Sequence, residues 1–189
     1  MRWDRAISLT VADPLTRLLA SGEAPRLPVL MYHSISRDDE AERAPYYRVC
    51  TSPERFAEHM ETLAELGMVG VTLAEGLERL NSDSQSGPFP VAITFDDGFE
   101  NFCTEAAPIM DRFGFKATMF LATAYVGERR KEFNGAKCLT WGEARSLAAE
   151  GHEFGSHTVN HPKLVELPRL EIASELSESK DSIELARQK

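Results

Sequence analysis

Two adjacent acids, Asp96 and Asp97, directly follow the apolar run Phe89-Pro90-Val91-Ala92-Ile93-Thr94-Phe95 and directly precede Gly98. Partly buried carboxylates cost several kcal/mol unless they are paired, protonated or metal-bound. Along a regular strand the two would face opposite sides, but Gly98 permits a sharp turn that lets both approach one site. The competing reading is a helix N-cap whose acids are favoured by the helix dipole. A second feature is Gly155-Ser156-His157-Thr158-Val159-Asn160-His161-Pro162. Its imidazoles, four residues apart, lie on one side of a helical turn and can reach a common cation. Such a pair can also be plain surface decoration, but the following Pro-Lys-Leu offers no charge partner to explain it. Together, one Asp and two His make a three-ligand site with open positions, suited to Zn²⁺, Co²⁺, Mn²⁺ or Fe²⁺. The other Asp is left to act as a base, which is the equipment of metal-assisted hydrolysis.

Elements that could position these residues alternate between strand and helix. Leu27 to Tyr32 suits a buried strand, and Ser52-Pro53 opens a helix with Phe56, Met60 and Leu63 on one face and Gly67 just past its end. Val69 to Thr72 reads as a strand, and Thr72 to Glu75 has capping-box spacing for a short helix toward Leu80. Phe89 to Phe95 is the next strand, followed by a helix carrying Ala106, Ile109, Met110 and Phe113. Ala117 to Thr123 is another buried strand, Thr140 to Glu143 caps a further helix, and His152 to Gly155 re-extends. A last helix, Pro168 to Arg187, places Leu170, Ala173, Leu176 and Ile183 near one face. The segments Ser36 to Ser52 and Asn81 to Pro88 read as surface loops. This alternation argues for parallel βαβ units, in a barrel or an open sheet, with chemistry at the C-terminal ends of the strands.

Composition excludes several other classes. With 21 Lys+Arg against 30 Asp+Glu in 189 residues, the formal charge of −9 disfavours nucleic acid or anionic lipid as a partner. Cys50, Cys103 and Cys138 are widely spaced and form no C-x-x-C pair, so neither a disulfide framework nor a thiolate zinc site is expected. The longest apolar stretches fall short of the roughly 18 residues a membrane span requires. No signal-peptide pattern opens the chain, and the expectation is a cytoplasmic protein.

Thr94 to Gly98 together with His157-x-x-x-His161 resembles the first two motifs of the polysaccharide deacetylase (NodB-homology) family. Leu27 to Ile35 resembles that family's first strand, and Gly114 to Leu121 the strand between the motifs. The resemblance implies an irregular seven-stranded (β/α) barrel, TIM-like, over residues 27–189, with residues 1–26 as an N-terminal arm. It also implies a carbohydrate-metabolism hydrolase that uses a divalent metal, zinc first, to remove acetyl groups from N-acetylated or sometimes O-acetylated sugars. Such an enzyme acts on carbon–nitrogen but not peptide bonds. Carried over by motif, Asp96 resembles the catalytic base, and Asp97, His157 and His161 the metal ligands.

The family pattern continues into further strands that carry groove residues and a late His proposed as the acid, and these have no counterpart before Lys189. The expectation is therefore a domain truncated at its C-terminus, whose uncovered edge promotes self-association. Of the other histidines, His59 is expected on a helix surface, His152 at a strand edge, and His33 has a lesser claim to face the site. Trp141 reads as packing, while Tyr46, Tyr47 and Phe99 are candidates to line a sugar groove. Two alternatives stand beside the deacetylase: a non-catalytic metal-binding or assembly module of the same fold, and a non-haem Fe²⁺ oxygenase. The βα alternation and the second Asp argue against the oxygenase.

Overall fold

The computed structural model of the chain describes residues 26–37, 49–82 and 87–187. Residues 1–25 of the expected arm, with Tyr46 and Tyr47, lie outside the described residues. The chain enters through β1 (Val29–Tyr32), then β2 (Ser34–Ile35) and β3 (Cys50–Thr51), which pair with each other in parallel. Helix α1 (Pro53–Glu65) starts where Ser52 Oγ accepts from Arg55 N, with Pro53 at a position where a missing N–H costs nothing. It buries Phe56, Met60 and Leu63, as its spacing requires, and Gly67 turns the chain at φ +70°. β4 (Met68–Val71) leads into α2 (Leu73–Asn81), capped by Thr72 Oγ1 accepting from Glu75 N.

The hub of the sheet is β5 (Phe89–Phe95), which pairs in parallel with β1, β4 and β6 (Thr118–Leu121), while β6 pairs in turn with β9 (Glu153–Ser156). Between β6 and β9 lie a short hairpin, β7 (Glu132–Phe133) with β8 (Ala136–Lys137), and helix α4 (Trp141–Ala149). At the start of α4 the capping box of Thr140 and Glu143 closes in both directions. The longest helix, α5 (Arg169–Ala186), packs back on β9. No helix among the described residues is long and apolar enough to cross a membrane.

The helix expected after the acidic motif is not regular from its start. A π turn (Phe102–Ala106) precedes α3 (Ala107–Asp111), and Ala107 N–H reaches back five residues to Phe102 O. Pro108 has no N–H to continue an i→i−4 ladder, so the widened turn falls where the ladder is already interrupted. It keeps Phe102 and Ala106 buried. The core between the sheet and α1, α3 and α4 holds Phe56, Met60, Ile93, Phe95, Phe102, Met110, Met119 and Leu121. Burying a side chain of this size contributes about 1.5–3 kcal/mol.

Two elements depart from the sequence pattern. β1 is half-covered rather than buried: Leu30 and Tyr32 pack on the core, whereas Val29 and Met31 are 50% and 63% exposed. β1 pairs only with β5 and ends the sheet, so its alternating side chains meet the core on one face alone. On α5, Leu170 is 84% exposed and Leu176 also faces out, while the inward stripe runs through Glu175, Ser179, Ile183 and Ala186. The described strands form an open five-stranded parallel sheet with β1 and β9 at its ends.

Candidate metal centre

Register brings the chemistry together. Tyr32 lies opposite Phe95, so His33 and Asp96 emerge side by side, and Asp96 N donates to Tyr32 O at 3.0 Å. Leu121 lies opposite Ser156, which places His157 one residue past the end of β9, its N–H on Leu121 O at 2.9 Å. All of these residues stand at the C-terminal ends of parallel strands, where an α/β sheet presents its loops.

Asp97 and Gly98 are both left-handed, at φ +74° and +79°. Two such residues in succession turn the chain sharply enough to keep both carboxylates on one side. A Cβ on Gly98 would also come within 2.8 Å of Leu121 Cδ2. Asp97 is buried, and its Oδ1 stands 3.5 Å from His157 Nε2 and 3.3 Å from His161 Nε2. The two Nε2 atoms are 3.1 Å apart. Among the described residues Asp97 Oδ1 has no hydrogen-bond partner. Donors held tetrahedrally about 2.0–2.1 Å from a zinc ion lie about 3.3–3.4 Å from one another. The observed edges of 3.1, 3.3 and 3.5 Å bracket that spacing, and the orphaned oxygen of Asp97 is one corner, so these three residues fit a small divalent cation. The imidazoles are partly exposed, which leaves one side of the triangle open.

Burial pushes the Asp96 carboxyl above the usual carboxylate range; the nearby His157 and His33 oppose that push and Asp97 adds to it. Burial likewise lowers His157, against the pull of Asp96 and Asp97, which favours the neutral imidazole a metal requires. His33 Nε2 faces Asp96 Oδ2 at 3.8 Å. Asn101, just before the π turn, fixes the segment behind His33: its Nδ2 donates to Ser34 Oγ at 2.7 Å and its Oδ1 accepts from Ile35 N at 3.2 Å.

Geometry thus gathers Asp96, Asp97, His157 and His161, the four residues singled out by motif, and adds His33. It also adds a wall that the sequence did not announce. Phe133, on the β7–β8 hairpin, packs its ring 5.2 Å from that of His161 and 4.3 Å from that of Tyr125. The Phe-Asn-Gly-Ala turn could have flagged the hairpin, since Asn134-Gly135 suits left-handed positions. Phe99 is buried against Phe133 rather than lining a groove, and Trp141 packs on the main core. His59 is half-buried, its Nδ1 3.0 Å from Tyr32 OH. His152 stands at the start of β9, as expected, but is buried there: it lies edge-on against Phe102, and its Nδ1 accepts from Ala117 N at 3.3 Å.

Comparison with known proteins converges on one family. The family model described as polysaccharide deacetylase matches residues 83–189. YxkH of Bacillus subtilis, named for the same family, is 30% identical over 168 residues, which make up 89% of this chain and 55% of that protein. A chitooligosaccharide deacetylase of Bradyrhizobium sp. is 31% identical over 99 residues, 52% of this chain and 40% of that protein. Among solved structures, the Streptococcus pyogenes deacetylase PplD in complex with acetate superposes with a TM-score of 0.73 at 26% identity, over 86% of this chain and 70% of that one. The chain spans about half the length of these two curated relatives.

Proposed function

This chain belongs to the polysaccharide deacetylase family, and we propose that it is a metal-dependent hydrolase that removes acetyl groups from N-acetylated carbohydrate. Asp97, His157 and His161 hold the metal in this reading, zinc first and cobalt, manganese or iron after it, and Asp96 is the base. The observation that carries it is the triangle of Asp97 Oδ1 and two imidazole Nε2 atoms, 3.1–3.5 Å on a side, with a second carboxylate in the adjacent residue.

A divalent cation held by Asp97, His157 and His161 would supply a Lewis acid for the acetyl carbonyl and lower the pKa of a bound water. Asp96 takes a proton from the water as its oxygen bonds to the carbonyl carbon. The carbon–nitrogen bond then breaks as the nitrogen takes the proton that Asp96 accepted, and acetate and a free amine leave. His33, across from Asp96 Oδ2, holds the carboxylate's orientation and favours its charged form. Phe133, itself buried against Tyr125 and Phe99, backs the ring of His161 and limits how far that imidazole can swing.

The domain in this proposal begins at residue 27 and follows the family's irregular (β/α) barrel architecture, its described sheet left open between β1 and β9. Self-association through the exposed Val29 and Met31 side of β1 is a corollary, contradicted by a monodisperse monomer in light scattering. The central test is metal content of the purified chain together with acetate release from N-acetylglucosamine oligomers, before and after adding Zn²⁺ or Co²⁺. About one metal per chain with metal-dependent acetate supports the deacetylase. Metal without acetate favours the non-catalytic module, and no metal removes the catalytic assignment.

A further inference from the structure

The loop between the two histidines is bent against its residues' preferences, and a single side chain outside the site grips it. Thr158 and His161 are both non-glycine residues at positive φ, +68° and +55°. Such a conformation persists only where the surroundings impose it. On one side, Thr123 N and Ala124 N donate to the carbonyls of Thr158 and Val159, at 3.1 and 2.9 Å. On the other side stands α5. From it Glu175 Oε2 accepts from both Val159 N and Asn160 N, each at 2.8 Å, and Oε1 accepts from Asn160 Nδ2 at 2.6 Å. The two N–H groups are successive, so they converge on one oxygen only while the backbone keeps this bend.

We propose that Glu175 is a positioning residue for the metal centre: its carboxylate fixes the bend of Val159-Asn160 and thereby the distance between the Nε2 atoms of His157 and His161. The inference rests on the reading of those histidines as metal ligands. It differs from a general stabilising role because of where Glu175 sits. The buried residues of α5 are Ser179, Ile183 and Ala186, and these seat the helix on β9. Glu175 stands a turn earlier, and the hydrogen bonds of its carboxylate run to Val159 and Asn160 of the loop. Without it the helix keeps its seat, but the loop loses three bonds and the imidazoles lose their fixed separation. Both Nε2 atoms must then be brought together at the moment of binding, and metal affinity falls. Partners of this kind, one step removed from the ion, typically change affinity about 10–100-fold.

Glutamine separates the geometric role from the charge. The bonds to the backbone converge on one oxygen, which a carboxamide retains, and the Asn160 amide can rotate to accept from the new NH₂. The experiment measures Zn²⁺ affinity by competition with a chromogenic chelator and the visible absorption of the Co²⁺ form, for the full chain and for Glu175→Ala, Glu175→Gln and Glu175→Asp. Thermal unfolding of each metal-free protein is recorded alongside. The expected result is Zn²⁺ affinity about 10–100-fold lower for Glu175→Ala with an altered Co²⁺ spectrum, substantial rescue by Glu175→Gln, and metal-free unfolding close to that of the parent. Should Glu175→Ala fail to fold, Glu175→Asp decides, since it keeps the charge but withdraws the oxygens by one methylene and should bind more weakly than Glu175→Gln. Equal affinity in all folded variants overturns the positioning role and leaves the metal reading intact. A parent chain that binds no metal overturns both.

Discussion

The two halves of the Asp97–His157–His161 triangle are held by different forces. Asp97 sits on a turn rooted in the core: Phe95 and Leu121 beside it are fully buried, Phe99 nearly so, and Leu139 N donates to Gly98 O at 2.8 Å. His157 and His161 stand on a partly exposed loop tied down by hydrogen bonds from α5 and from residues 123–124. Apolar packing cannot be removed locally without loss of stability, because interiors are close-packed. A polar clamp at the surface can be cut with the fold intact. The acid half is therefore set together with the fold, and the histidine half can be tuned apart from it.

The largest effect expected on the acid half is chemical. In the proposed reaction, Asp96→Asn keeps the turn, its neighbours and the three candidate metal donors but removes the proton acceptor, so acetate release should fall by about 10²–10⁴ with Zn²⁺ affinity nearly unchanged. Equal loss of metal and activity would place Asp96 among the ligands instead. Next comes acid sensitivity at the root of β9. His152 is buried, and burial, with a smaller contribution from Lys116, drops its pKa from 6.5 to about 4. The unfolded chain takes up this proton below about pH 6.5 and the folded one only near pH 4. The stability His152 gains by staying neutral is thus complete above pH 6.5 and is lost as pH falls toward 4, by up to about 3 kcal/mol. Urea titrations of metal-free protein at pH 7.5 and 4.5 measure this, and His152→Gln should flatten the difference; an unchanged slope refutes it.

Smaller still is the cost of filling the turn. Gly98→Ala forces a Cβ into a left-handed position and against buried Leu121 Cδ2, and should cost about 2 kcal/mol in urea unfolding. Because the strain falls on the residue after Asp97, Zn²⁺ affinity should fall together with stability. On the acid half the two quantities move as one; if only affinity moved, the contrast between the halves would fail.

Much of the acid half was legible because its support is apolar and periodic. The Phe89–Phe95 run, the glycine after two acids and the Met-Phe-Leu strand all obey rules that read burial from hydrophobicity. His33 was harder to place, since its approach to Asp96 depends on the register of β1 against β5, which one strand's sequence does not encode. The histidine motif was legible as a motif, but its support was not. Reading α5 by its leucines puts Leu170 and Leu176 inward, whereas the inward stripe carries Glu175, which bonds the histidine loop, and Ser179, which bonds Ser156 at the end of β9. Hydrophobic periodicity is blind to a face that is buried for polar reasons. The same blindness hid His152 in the core and, at Pro108, the π turn that keeps Phe102 inside.

The smallest predicted effect tests the division most finely, because it falls within α5 itself. Ser179 is fully buried one turn after Glu175, with its Oγ 2.9 Å from Ser156 Oγ, which also accepts from Thr158 N at 3.3 Å. Ser179→Ala removes one bond of this chain, but Ser156 keeps its contact to Thr158 N, so the cost should be about 1 kcal/mol in metal-free unfolding. Ser179 seats the helix rather than gripping the loop, so Zn²⁺ affinity should stay within about threefold of the parent, in contrast to the larger change typical of a ligand-positioning partner. Glu175→Ala should do the reverse, moving affinity far more than stability. A Ser179→Ala protein that lost as much affinity as Glu175→Ala would mean that the loop hangs on the whole of α5, and the histidine half would then be set by packing just as the acid half is.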